Sequence, residues 1–282
     1  MSETNPADRW AAFTAFRVSV GGHVAEIELV GTGKGNRMGP AFWRELPEVF
    51  AAIDAADDVR VAILRGAGDT FTYGLDLASM GGEIGAGMAE GALAAARTKL
   101  HELILRMQGA TSSLARCRKP VIAAIAGWCV GGGIDLVSFA DVRLASAEAR
   151  FSVREVKLAI VADLGTLQRL PYLVGHGHAR RLALTGEDFD AAHAARIGLV
   201  QEVLPDPAAL LSAARAMAKT IAENPPLVVS GIKQVMEASM GRPPEDGLRH
   251  VALWNSAFLP SRDLQEALMA FVEKRPPSFR GE

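Results

Sequence analysis

The run Val121-Ile122-Ala123-Ala124-Ile125-Ala126-Gly127-Trp128-Cys129-Val130-Gly131-Gly132-Gly133-Ile134-Asp135-Leu136 carries the decisive change of pattern in this chain. Its first five residues hold no polar side chain, which suits a strand covered on both faces. Pro120 stops the long helical pattern that arrives over Leu93–Arg116. Gly127 and the triple glycine then admit tight turns and close backbone approach, and a helix opens behind them. Such a start leaves backbone N–H groups without intrahelical partners, at the positive end of the helix dipole. The apolar run Val121–Val142 is broken by those glycines and by Asp135, so it makes no bilayer span of about 20 residues.

A second strand–turn–helix junction stands at Phe71-Thr72-Tyr73-Gly74-Leu75-Asp76-Leu77, after an apolar strand over Val59–Leu64. Taken singly, each junction is explained by glycine's role in turns and close packing. Two helix starts that converge on one point would instead hold an oxyanion.

Around these junctions the pattern alternates between strand and helix. Phe16–Val20 and His23–Val30 flank Gly21-Gly22, which predicts a hairpin with the glycines at its turn. Pro40 suits a first helical position, and Phe42, Leu46, Val49, Phe50 and Ile53 recur at helical spacing. Pro47 within that series predicts a kink or a late helix start. The stretch Gly81–Gly91 reads as too irregular for a helix interior. Further strands are expected at Val142–Ala145, Arg150–Val153 and Leu199–Leu204. Strand pairs followed by a helix argue an α/β core. The pattern predicts an α/β core over 1–205 and a helical region over 206–282. The alanine-rich, amphipathic faces of that second region must pack on the parent domain or on a partner subunit.

Composition narrows the function classes. A chain of 282 residues, 49% hydrophobic, builds a large core without disulfide staples. A net charge of -2 leaves no basic footprint for nucleic acid or for a lipid surface. Two cysteines without CxxC spacing suit a reducing compartment. The opening MSETNPADRW lacks the basic start and apolar run of a secretory signal, and no SKL address closes the chain, so a cytoplasmic location is expected. GTGK at 31–34 fails as a phosphate loop because Glu28 stands where the leading glycine is needed. His176 and His178 have no acidic or cysteine partner at metal spacing, and no metal site is expected.

Three carboxylates sit in apolar surroundings. Asp135 lies in the first turn of its helix, where the dipole stabilises the anion and burial opposes it. Glu155 follows a strand, and a salt bridge to Arg154 or Lys157 would account for it. Asp163 precedes Leu164–Leu170, where it suits an N-cap. Spacing does not unite the last two: eight residues of helix leave them about 80° apart. As a strand they would stand about 26 Å apart, so only a bend brings both to one ligand. An oxyanion site with acids beside it suggests proton transfer next to a carbonyl.

FTYGLDL at 71–77 and GGGIDL at 131–136 resemble the paired signatures of the crotonase (enoyl-CoA hydratase/isomerase) superfamily. The resemblance runs from Lys34-Gly35-Asn36-Arg37-Met38 to Phe271-Val272-Glu273-Lys274-Arg275. FSVREVKLAIVADLGTLQRLP at 151–171 and HVALWN at 250–255 are similar to its dienoyl-CoA isomerase branch. It implies a spiral of ββα units with a C-terminal α-helical trimerisation region, assembled as a homotrimer or a dimer of trimers. It also implies an acyl-CoA substrate, with coenzyme A entering as part of that substrate and no separate cofactor. The backbone N–H groups of Leu75 and Gly132 would form the oxyanion hole. Glu155 would exchange the C2 proton, Asp163 would deliver one at C6, and Asp135 would be an auxiliary buried acid. Asn36, Arg37, Met38 and Lys274 are the implied CoA contacts. Two alternatives stay open. One is a hydratase using Asp135 and Glu155, and the other a silent acyl-CoA-binding protein. Tyr73 departs from the alanine often found at its position.

Overall fold

A computed structural model describes residues 8–89, 91 and 93–282. The first seven residues, and with them most of the polar opening, lie outside the described residues. A short helix α1 (Asp8–Ala11) leads into the hairpin of β1 (Phe16–Gly21) and β2 (Val24–Leu29). Its turn is Gly22-His23, one residue later than the glycine pair predicts, because Gly21 pairs with Val24. Gly22 and His23 have φ of 56° and 65°, the left-handed pair that such a turn demands. His23 tolerates this conformation while its carbonyl accepts the Arg60 N–H at 2.8 Å.

Helix α2 (Pro40–Ala55) begins at Pro40 and runs through Pro47, contrary to the expected kink or late start. Pro47 removes one hydrogen bond, but Phe42, Leu46, Val49, Phe50 and Ile53 are all buried and hold the helix together from one face. Strand β3 (Val61–Gly66) precedes α3 (Leu77–Met88), which occupies most of the glycine-rich stretch read as irregular. Packing overrides propensity there. Met80 is buried, and a Cβ on Gly87 would come within 2.7 Å of the Leu100 Cβ, so the glycine lets α3 lie close against α4 (Ala94–Arg116).

The chain continues through β4 (Val121–Ile125), β5 (Trp128–Val130) and α5 (Gly132–Ser138), and then β6 (Val142–Ser146) and β7 (Arg150–Ser152). After α6 (Thr166–Thr185) come β8 (Asp188–Asp190), which the sequence reading missed, α7 (Ala191–Arg196) and β9 (Glu202–Leu204). Helices α8 (Pro207–Ala222), α9 (Pro226–Ser239), α10 (Pro244–Phe258) and α11 (Arg262–Glu273) complete it.

Among the described residues one sheet has the order β1-β2-β3-β4-β6-β9, parallel from β2 onward, and a smaller sheet has the order β5-β7-β8. Alternation along β3 and β4 serves two cores. Ala62, Leu64, Ala123 and Ile125 face the larger core with α2 and α4. Val61, Ile63, Ile122 and Ala124 face Leu210, Ala214, Ala218 and Ala222 of α8. The continuous apolar run of β4 is therefore a strand covered on both faces. Helix α9 is tied to the body by the buried Lys233, whose Nζ donates to the Leu114 carbonyl and the Asp141 carboxylate, both at 2.8 Å. Ile232, Met236, Leu253, Leu268 and Phe271, on α9 to α11, remain exposed.

Candidate active site

The two glycine junctions lie side by side. Phe71 and Thr72 donate their N–H groups to the carbonyls of Ala126 and Trp128, each at 2.8 Å, and Val130 donates back to Thr72 at 3.1 Å. On the other flank Met38 donates to the Gly74 carbonyl at 2.9 Å and accepts from the Asp76 N–H at 3.1 Å. Gly74 has φ of 80°, and a Cβ there would stand 2.6 Å from the Val130 carbonyl oxygen and 3.2 Å from the Gly132 nitrogen. A Cβ on Gly132 would lie 3.9 Å from the Leu75 nitrogen. These contacts bring the amides of Leu75 and Gly132 next to one another. The hydroxyl of Thr72, fully buried, accepts the Gly74 N–H at 3.0 Å and donates to the Asn36 carbonyl at 2.7 Å, which fixes the turn. The neighbouring amides of Gly74, Asp76 and Gly131 all have acceptors, while those of Leu75 and Gly132 have none among the described residues. A pair of adjacent, unengaged amide donors at helix starts is an oxyanion hole in form.

Both amides border a cavity of about 280 Å³. Leu77, Ile84, Leu100, Leu103, Ile104 and Met107 supply an apolar wall from α3 and α4, and Glu155, Asp163 and Asp135 bring carboxyl groups to it. The bend that spacing alone required is present. Glu155 opens a tight 3-10 turn, Glu155–Leu158, and Ala159 takes φ of 57° behind it. The Ile160 N–H then closes back on the Glu155 carbonyl at 3.1 Å.

Neither explanation that would have made Glu155 and Asp163 ordinary survives. Arg154 pairs with Asp188 instead of Glu155, and Glu155 Oε2 is buried without a hydrogen-bond partner among the described residues. Asp163 does not cap α6, whose N-cap is Gly165. Asp135 reaches across from α5 and accepts the Thr166 N–H at 2.7 Å through Oδ1.

Burial governs the charge of these acids. It pushes the Glu155 carboxyl up to about 7, with the Asp135 and Asp163 charges acting in the same direction. Burial likewise raises Asp135 to about 6, against the pull of its Thr166 hydrogen bond and with the help of the Asp163 charge. Asp163 is raised by burial as well. Three carboxyl groups sharing one field titrate as a set, and the neutral forms of Glu155 and Asp135 persist toward neutral pH.

The remaining residues singled out in the sequence take varied places. Asn36 is buried, and its side-chain amide donates to the Ala67 and Thr70 carbonyls at 2.9 and 2.7 Å, holding the loop before the first junction. Arg37 is exposed and Met38 buried, with its sulfur against Gly132. Lys274 ends α11 at φ of 55°, exposed, and does not border this cavity. Tyr73 borders the cavity while 43% exposed, its ring 6.4 Å from that of Trp128. His178 stands edge-on to His193 at 6.5 Å. Sequence reasoning passed over Gln108 and Thr111 of α4, which bond the carbonyls of Asp163 and Leu164. Their signal was polarity on the buried face of an otherwise apolar helix stripe.

Comparison with known proteins places this architecture. The model of the enoyl-CoA hydratase/isomerase family matches residues 20–282. A mitochondrial Delta(3,5)-Delta(2,4)-dienoyl-CoA isomerase of Dictyostelium discoideum is 43% identical over 91% of this chain and 87% of its own. A peroxisomal protein of the same name from Arabidopsis thaliana is also 43% identical, over 86% of this chain and 88% of its own. The crystal structure of an enoyl-CoA hydratase from Bacillus anthracis superposes with a TM-score of 0.86 at 31% identity, covering 95% of this chain and all of that one. The fold is the crotonase spiral of ββα units, and the chain belongs to the enoyl-CoA hydratase/isomerase family.

Proposed function

We propose that this protein isomerises 3,5-dienoyl-CoA to 2,4-dienoyl-CoA. The observation that carries the proposal is that Glu155 and Asp163 border one apolar-walled cavity together with the amides of Leu75 and Gly132. The relatives named as dienoyl-CoA isomerases support the same reading.

The thioester oxygen would accept hydrogen bonds from the Leu75 and Gly132 N–H groups. Glu155, ionised, takes the C2 proton; the C2–H electron pair spreads through the two double bonds as a dienolate whose negative charge rests on that oxygen. Asp163, neutral, donates its proton to C6, and the new C6–H bond draws the electrons back into the 2,4-diene. Glu155 ends protonated and Asp163 ionised, and exchange with solvent resets the pair. Preorganised amides stabilise the developing oxyanion without reorganising, and losing one such donor typically costs about 10²–10³ in rate. The apolar wall keeps water from the conjugated intermediate.

Hydration is the weaker reading. It needs Asp135 beside Glu155 to steer water, yet Asp135 is 1% exposed with one oxygen already committed to Thr166. No separate cofactor enters the scheme, because coenzyme A arrives with the substrate. Backbone near Asn36–Met38 adjoins the oxyanion junction and supports a role in holding that carrier. Lys274 would have to act from a neighbouring subunit. A homotrimer or dimer of trimers completes the proposal, supported by the exposed apolar residues of α9 to α11. The free, buried Cys117 and Cys129 support a reducing, cytoplasmic setting.

The test offers 3,5-octadienoyl-CoA and crotonyl-CoA to the protein and to its Asp163→Asn variant. The proposal expects diene migration in the parent and its loss in the variant, with any hydration nearly unchanged. Dominant hydration that Asp163→Asn leaves untouched would reject it.

A further inference from the structure

We infer that Gln108 and Thr111 of α4 are positioning residues for Asp163, and that they set proton delivery at the distal end of the diene separately from proton removal at C2. The inference rests on the isomerase reading above and assigns residues that take no part in that chemistry themselves.

Asp163 lies in a segment with little regular structure of its own, between the left-handed Ala159 and the start of α6 at Thr166. Two side chains of α4 hold it from outside. Gln108 Nε2 donates to the Asp163 carbonyl at 2.6 Å, and Thr111 Oγ1 donates to the Leu164 carbonyl at 2.8 Å. Thr111 is fully buried, so its hydroxyl bond is shielded from water. Gly165 follows with φ of 129°, its Cα so close to Phe139 that a Cβ would meet the ring at 2.3 Å. The anchored carbonyls and the packed glycine leave the Asp163 backbone little freedom.

The same helix face does two things. Ile104 and Met107 border the cavity, and Gln108 and Thr111 continue their stripe at the i, i+3, i+4, i+7 spacing that places residues side by side. Helix α4 therefore carries part of the acyl wall and the anchor of the distal acid as one rigid piece. Glu155 is placed differently, by its own tight turn and the Ile160 N–H, and receives nothing from Gln108 or Thr111. Loosening the α4 anchor should shift Asp163 against the ligand while Glu155 stays in place. A displacement of about 1 Å can cost 10²-fold in rate.

The experiment uses full-length Gln108→Leu and Thr111→Val, with Thr111→Ser as the conservative replacement, and reads two rates from 3,5-octadienoyl-CoA in D₂O. One is exchange of the C2 protons, which reports Glu155; the other is appearance of the 2,4-diene, which also needs Asp163. We expect Gln108→Leu and Thr111→Val to lower kcat for isomerisation about 10²-fold at nearly unchanged KM, with C2 exchange kept within about threefold. Thr111→Ser should restore the parent ratio of the two rates. An unchanged ratio in both disruptive variants, or a parallel fall of both rates, overturns this inference and leaves the isomerase reading intact. Absence of isomerisation by the unaltered protein overturns that reading, and this inference with it.

Discussion

Asp135 of α5 accepts the backbone N–H of Thr166 at 2.7 Å, so the first turn of α6 is capped by an acid from another helix. This bond couples the glycine junction that carries Gly132 to the segment that carries Asp163. An Asp135→Leu variant should destabilise the protein by about 1–2 kcal/mol, since it leaves a buried amide without its acceptor. Asp135→Asn retains an acceptor oxygen and should avoid that loss. Urea unfolding of both variants at one pH measures the difference.

The same acid gives a signed pH effect. Its pKa is raised in the fold to about 6 from the ordinary 3.8, so burial favours the neutral form. That contribution is fully present below 3.8 and is lost as pH rises through about 6. Asp135→Asn removes the ionisation, so its stability relative to the parent should improve by about 1 kcal/mol between pH 5 and pH 8. Chemical denaturation at the two pH values checks the sign.

Isomerisation should follow a bell-shaped pH profile. The Glu155–Asp163 pair must hold one proton between them, the base ionised and the distal acid neutral. Full protonation removes the base, and full ionisation removes the donor. With Glu155 at about 7, the pair loses its last proton near that value and the alkaline limb of kcat/KM should fall there, the reactive form with the proton on Asp163 being the minor tautomer. Asp163 is also raised, so the acidic limb should lie above the ordinary aspartate value of 3.8. A rate that stays flat to pH 9 would contradict the pairing.

The oxyanion geometry is open to a glycine test. Gly74→Ala places a methyl 2.6 Å from the Val130 oxygen at a φ of 80°, which the backbone can relieve only by moving the junction. We expect about 10²–10³ loss in C2 exchange and isomerisation alike, because both pass through the same oxyanion. Steady-state assay beside a circular dichroism spectrum separates this from unfolding.

Much of this was written in local pattern. The apolar Val121–Ile125 run announced a strand buried twice, and the two glycine junctions announced helix starts with open amides. The helix over 77–88 was hidden because its glycines weaken intrinsic propensity; close packing on Leu100 explains Gly87, while Gly81, Gly82 and Gly85 face open space. The meeting of Glu155 and Asp163 was hidden for another reason. It depends on Ala159, an unmarked residue in a left-handed conformation, and on Gln108, which lies 55 positions before the backbone it anchors. Neither signal is local, and no periodicity reports it.

The apolar face of α9 to α11 makes a prediction about assembly. Met236 and Leu253 are 69% and 73% exposed, and glutamate at either should weaken self-association with little effect on the fold. Sedimentation velocity of the two variants against the parent, with circular dichroism as the control, gives the answer.

The central claim is that separate carboxyl groups serve opposite ends of one delocalised anion, and proton NMR of 3,5-octadienoyl-CoA turned over in D₂O tests it most directly. Deuterium should appear at C6 of the 2,4-dienoyl product made by the parent, and Asp163→Asn should still exchange C2 while forming no product. Formation of C6-deuterated product by Asp163→Asn at the parent rate would contradict the account.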